Sequence, residues 1–137
     1  MFLLLYLWFY LWFLLCLVDL GVTKLITLSE DSLPSQAGFL SQLGIKHEIH
    51  GCVEFEGIPV AKIVQIVEAI DNEIAAGGKV AVHCRAGNGR TGTILAAFIM
   101  KEKNLSSTEV LLYVILFQNY KFFCRLLHSW GKQEGGR

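Results

Sequence analysis

His83-Cys84-Arg85-Ala86-Gly87-Asn88-Gly89-Arg90-Thr91-Gly92 joins two segments of different character. Before it, Val80-Ala81-Val82 reads as a buried strand, and after it Thr91 opens an apolar helix. A strand, a glycine-rich loop and a helix N-terminus in that order make an anion cradle, because successive main-chain N–H groups and the positive helix end converge on one point. Gly87 and Gly89 allow positive φ, so the loop can curl with its N–H groups inward. A thiol at the base of such a cradle ionises readily, since helix N-termini and neighbouring cations lower a cysteine pKa to roughly 3.5–7.5.

These residue types divide the chemistry of attack on phosphate phosphorus among themselves. Cys84 is the candidate nucleophile, whose phosphocysteine intermediate would split hydrolysis into two easier steps. The N–H groups of Arg85, Ala86, Gly87, Asn88, Gly89 and Arg90 are placed to hold the equatorial oxygens. The planar fork of Arg90 suits two of those oxygens better than a lysine point charge does. Thr91 is placed to donate a hydrogen bond to the Cys84 sulfur and improve it as a leaving group. His83 is expected to orient the loop through its ring nitrogens, because an ionised thiolate needs no base.

The rest of the chain reads as one small α/β domain. With 137 residues it can bury a single core, and no second domain fits. Its 12 basic and 12 acidic residues cancel, so nothing points to nonspecific nucleic-acid binding. Cys16, Cys52, Cys84 and Cys124 are far apart, with no CxxC pair and no histidine cluster at metal spacing. That pattern argues against a zinc site or a disulfide framework, and for a reducing, cytoplasmic compartment in which a thiolate stays active. Cys52 has two readings, a buried bystander or a partner that traps an oxidised Cys84 as a disulfide.

Strands are expected at Val22–Leu28 and Ile45–Ile49, with a short helix between them that Gly44 ends. Pro59 begins a helix whose Ile63, Ile66, Val67, Ile70 and Ile74 recur at helical spacing, and Gly77-Gly78 close it. A helix over Thr91–Lys103 follows the cradle and stops at Asn104. Ser106-Ser107-Thr108-Glu109 fits a capping box for the last helix. Such alternation implies a central, mostly parallel sheet flanked by helices, with the cradle at the carboxyl end of a central strand.

HCxxGxxRTG, as it stands from His83 to Gly92, resembles the active-site signature of the cysteine-dependent protein tyrosine phosphatases. Leu20 to Glu30, Val64-Gln65-Ile66-Val67 and Gly92 to Lys103 are similar to the small atypical dual-specificity phosphatases of the dual-specificity phosphatase 23 type. The resemblance covers roughly residues 19–112. It implies a phosphotyrosine-phosphatase-like fold, no cofactor, and phosphorylated proteins as substrates. It also implies an acid in a loop some thirty residues before the cysteine, where Glu54 before Phe55 takes the position of the family's Asp. Glu54 as that acid and Glu54 as a solvated loop carboxylate both stand at this point, and Glu56 fits the second description. Relatives also carry an Arg-Pro-Gly turn and a Glu-Thr-x-Glu-Gln run near the C-terminus. Leu111 to Tyr120 replaces both, which leaves Gln118 as the nearby candidate for placing water. The fold is therefore expected to be incomplete at both ends.

Residues 1–18 form a separate hydrophobic N-terminal segment, residues 19–130 the phosphatase-like domain and residues 131–137 a polar tail. Met1 to Val18 has no charge and is almost wholly Leu, Phe, Tyr and Trp. As a helix it would span about 27 Å, near the short end for a bilayer. A basic start and a small-residue cleavage site, the marks of a secretory signal, are both missing. Three readings stand: a membrane anchor or membrane-associated helix, a buried helix of the domain, or sequence foreign to the fold. For the whole chain, three functions also stand. They are a phosphatase acting on phosphotyrosine with phosphoserine or phosphothreonine, a catalytically weak phosphate-binding pseudophosphatase, and a phosphoinositide phosphatase. Arg85 slightly favours the last, and Asn88 counts against it.

Overall fold

A computed structural model describes residues 2–30, 34–85, 89–118 and 125–127. The described elements run α1 (Phe2–Asp19), β1 (Lys24–Thr27), α2 (Pro34–Gln42), β2 (Lys46–Ile49), α3 (Val60–Ala75), β3 (Val80–His83), α4 (Gly89–Lys103), α5 (Ser107–Gln118) and β4 (Arg125–Leu127). The sheet has the order β2-β1-β3-β4. β1 is parallel to both β2 and β3, and β4 closes the other side of β3 in antiparallel pairing. The α/β architecture with a mostly parallel sheet is thus the one expected. The polar tail, residues 131–137, lies outside the described residues.

Local chemistry explains where the elements start and stop. The expected strand Val22–Leu28 is shorter, because the N–H groups of Thr23 and Lys24 both turn to the Lys79 carbonyl at the edge of the ladder. Gly21, at φ +72°, ends α1 in the left-handed conformation that a residue with a Cβ resists. The cradle helix opens at Gly89, two residues before the expected Thr91. Gly89 is accordingly helical and makes no use of the positive φ open to it. The capping box of the last helix is formed: the Ser106 N–H donates to Glu109 Oε2 at 2.9 Å, and the Glu109 N–H donates to Ser106 Oγ at 3.4 Å.

The period-two alternation of the strands sends side chains to two layers. Ile26, Val80 and Val82 pack with Ile66 and Ile70 of α3 and Ile94 and Leu95 of α4. Ile63 and Ile74 complete the α3 face from partly buried positions. On the opposite face Leu25 and Ala81 meet Leu14 and Leu17 of α1, with Leu40 and Ile45. Burying a leucine fully is worth about 1.5–3 kcal/mol, so Leu14 and Leu17 bind α1 firmly to the sheet. α1 is therefore packed as a helix of the domain. Its other side leaves Leu4, Trp8, Leu11, Leu15 and Val18 exposed. Among the described residues no helix is long and apolar enough to cross a membrane.

A carboxylate that the hydrophobic pattern of α3 hides ties the lower edge of the sheet together. Glu73 falls on the buried face of α3, where Oε1 accepts the Thr23 hydroxyl at 2.7 Å and Oε2 the Lys46 ammonium at 3.0 Å. Burial pushes its pKa up, but the Thr23 hydroxyl and the Lys46 and Lys24 ammoniums outweigh that and hold it below the usual value. Gly78 makes the contact possible, since a Cβ there would overlap both Thr23 Oγ1 and Glu73 Oε1. Gly78→Ala is expected to cost about 1–3 kcal/mol, the penalty for separating buried hydrogen-bonded groups, read as a lower urea midpoint. Glu73→Gln should also destabilise at neutral pH. Because the Glu73 pKa is depressed in the fold, its stabilisation is present above the unfolded value and fades as pH falls, so the difference from the parent chain should shrink in acid.

Candidate active site

Three chain segments meet at the carboxyl ends of β1 and β3. The parallel register sets Thr27 opposite His83, and the Leu28 N–H donates to the His83 carbonyl at 2.9 Å. The chain beyond β2 runs on along β1, with the His50 N–H on the Thr27 carbonyl and the Cys52 N–H on the Leu28 carbonyl at 2.8 and 2.9 Å. Lys62 of α3 donates to the Gly51 carbonyl and holds the same loop from the other side. These main-chain bonds carry Cys52 and Glu54 to the mouth of the cradle.

Cys84 is buried directly after β3. The Thr91 hydroxyl, in the first turn of α4, donates to its Sγ at 3.0 Å. The sulfur thus meets a hydroxyl donor beside the positive end of a helix. Arg90 is 9% exposed, and its Nη1 donates to the Cys52 carbonyl at 3.0 Å. Its Nη2 lies 3.9 Å from Glu54 Oε1, on a side chain that is 43% exposed. The structure therefore brings Cys84, Arg90, Thr91 and Glu54 to one mouth. Arg85 is exposed beside it, Ala86, Gly87 and Asn88 lie outside the described residues, and Gly89 contributes as the first residue of α4. The side chain of Gln118 also lies outside the described residues.

Three features of the site carry no motif. Cys52 is a buried thiol in the same cluster as Cys84, and its Sγ donates to the His50 carbonyl at 3.2 Å. Burial pushes its pKa up, which keeps it a thiol beside the candidate nucleophile. Thr27 lies under the cradle with its hydroxyl 2.7 Å from His83 Nε2 and 2.7 Å from His47 Nε2. Phe13 of α1 lies over the His83 ring at a centroid distance of 5.7 Å. Burial, and secondarily His47, push His83 down to about 4, so the ring is neutral at neutral pH.

The dual specificity phosphatase catalytic-domain model matches residues 55–126, more than half of the chain. The chain belongs to the dual specificity phosphatase family. Human dual specificity protein phosphatase 4 is 30% identical over 117 residues, covering 79% of this chain and 28% of that protein. Human dual specificity protein phosphatase CDC14C is 49% identical over 37 residues, 27% of this chain and 8% of that protein. The chain thus spans less than a third of the length of these curated relatives. Among solved structures, Tk-PTP in its active form superposes with a TM-score of 0.66 at 28% identity, covering 72% of this chain and 69% of that one. The fold of this dual specificity phosphatase chain is accordingly that of the tyrosine phosphatases.

The tilted contact of Phe13 with the His83 ring gives a measurable consequence. Phe13→Ala admits water to the ring and should move the His83 titration from about 4 toward its ordinary 6.5, read by histidine NMR. With the His83 pKa depressed, the unfolded chain binds more protons between those values, so stability falls as pH drops through that window. The variant should lose less stability over the window than the parent chain does.

Proposed function

We propose that this chain is a metal-independent phosphomonoester hydrolase acting on phosphotyrosine and phosphoserine or phosphothreonine in proteins, in the reducing cytoplasm. The observation that carries this reading is the Thr91–Cys84 hydrogen bond at 3.0 Å, at the foot of the helix that also bears Arg90. Cys84 attacks phosphorus as the thiolate, an S–P bond forms, and the P–O bond to the substrate oxygen breaks. Arg90 and the loop N–H groups hold the equatorial oxygens, where charge develops. Glu54 gives its proton to the departing oxygen. Water then attacks phosphorus while the Glu54 carboxylate takes up the water's proton, and the S–P bond breaks toward a thiolate that receives the Thr91 hydroxyl.

The Glu54–Arg90 pair supports a second reading, phosphate binding with weak turnover. At 3.9 Å the acid leans on the cation that binds phosphate, which favours its charged form over the protonated form a general acid needs. Purified protein is expected to hydrolyse an aryl phosphate in the presence of a chelator, with vanadate inhibiting and Cys84→Ser removing all turnover. Glu54→Gln should slow poor leaving groups by about 10²–10⁴-fold, the usual contribution of a general acid, and should spare good ones. Vanadate binding without Cys84-dependent turnover supports the second reading. Preference for phosphoinositides over phosphopeptides moves the substrate class to lipids.

A further inference from the structure

Thr27 is 2% exposed and stands between two imidazoles, at 2.7 Å from each Nε2. A hydroxyl has one proton, so it donates to one ring and accepts from the other. If both rings donated, the buried Thr27 O–H would be left without an acceptor, a state that buried donors rarely occupy. The far side of His47 decides between the two remaining orders. Its Nδ1 is buried and has no hydrogen-bond partner among the described residues. If Thr27 donated to His47, that ring would carry its proton on Nδ1 and bury an N–H with nothing to receive it. In the opposite order Nδ1 is a bare lone pair, and buried orphan acceptors are tolerated better than orphan donors.

We infer that His47 and Thr27 are positioning residues: His47 donates to Thr27, Thr27 donates to His83, and the chain fixes His83 as its Nδ1–H tautomer at the start of the Cys84 loop. Nδ1 is the ring nitrogen nearer the main chain, from which that loop departs. The His83 carbonyl is already held by Leu28, so the relay secures the peptide before Cys84 from its side-chain end as well. β1 and β2 supply the relay through period-two placement alone, since Leu25 pairs with His47 and Thr27 with His83. Phe13 shields it from water. A fixed His83–Cys84 peptide holds the sulfur against the Thr91 hydroxyl, which lowers the free energy of the thiolate. The role assigned to the relay rests on the nucleophilic reading of Cys84.

Two measurements test it, and neither needs turnover. Long-range ¹⁵N NMR of the intact protein at neutral pH should show His83 with a pyridine-like Nε2 and a protonated Nδ1, and His47 protonated on Nε2. The pH dependence of Cys84 alkylation by iodoacetate gives the thiolate pKa. Thr27→Val should raise that pKa by about one unit, about tenfold slower alkylation on the acid side, while Thr27→Ser keeps the parent profile. His47→Leu should act like Thr27→Val, and His47→Gln, which retains an N–H donor, should recover most of the effect. A His83 protonated on Nε2 in the parent chain overturns the relay, as does an unchanged alkylation profile in a folded Thr27→Val or His47→Leu. The tautomer reading stands even if a variant does not fold. Absent turnover with the expected tautomers and alkylation shifts would count against the phosphatase reading and leave the relay intact.

Discussion

At the last rung of the β1–β3 ladder, Thr27 faces His83 across two parallel strands, and every part of the site is referred to that rung. The two strands end together, so Leu28 can bind the His83 carbonyl and still offer its own carbonyl to Cys52. Cys52 in turn gives its carbonyl to Arg90. β1, the Cys52–Glu54 loop and the strand that leads to Cys84 are thereby joined through main-chain hydrogen bonds, and Arg90 is anchored on one of their carbonyls. Such bonds fix position more strictly than long side chains do, because fewer rotatable bonds separate the partners. Thr91 completes the set from α4, whose dipole points at the same sulfur.

The layers on either side of the sheet serve this rung differently. α3 and α4 bury the face from which the cradle helix rises, and their core includes both Cys52 and Cys84. α1 covers the other face, where the side chains of Thr27, His47 and His83 converge. Burial under this apolar helix lowers the pKa of both imidazoles and so favours their uncharged forms. Burial of a polar cluster is tolerable only when its hydrogen bonds are nearly complete, and here one nitrogen of His47 is left over.

How much the sequence disclosed depended on whether the signal was local. The Val80–Val82 run, the helical spacing from Ile63 to Ile74 and the Ser106–Glu109 box each lie within one turn or strand, and each element formed where its pattern stood. The Cys84–Arg90–Thr91 group was legible for the same reason, its spacing being that of a loop and one helical turn. Thr27 and His47 were not, because their meaning depends on strands brought side by side from different parts of the chain. Glu73 was hidden by the apolar rhythm that revealed its helix, and only the approach of Thr23 and Lys46 shows why a carboxylate is tolerated there. Gly89 allows positive φ within a loop motif, and only the structure shows that it begins the helix instead. The acid was the least legible part: a loop glutamate looks the same in sequence whether or not an arginine waits beside it.

Topology also assigns an order of events to folding. β1 pairs with β2 after a short excursion through α2, 24 residues apart at the Lys24–Glu48 contact. Its pairing with β3 closes a span of 56 residues between Thr27 and His83. Closing a longer loop costs more entropy and slows pairing. The β1–β2 unit can therefore assemble first and wait as a template for β3. Cys84 follows β3 directly, so it takes its place beside the end of β1 only when that longer closure is made.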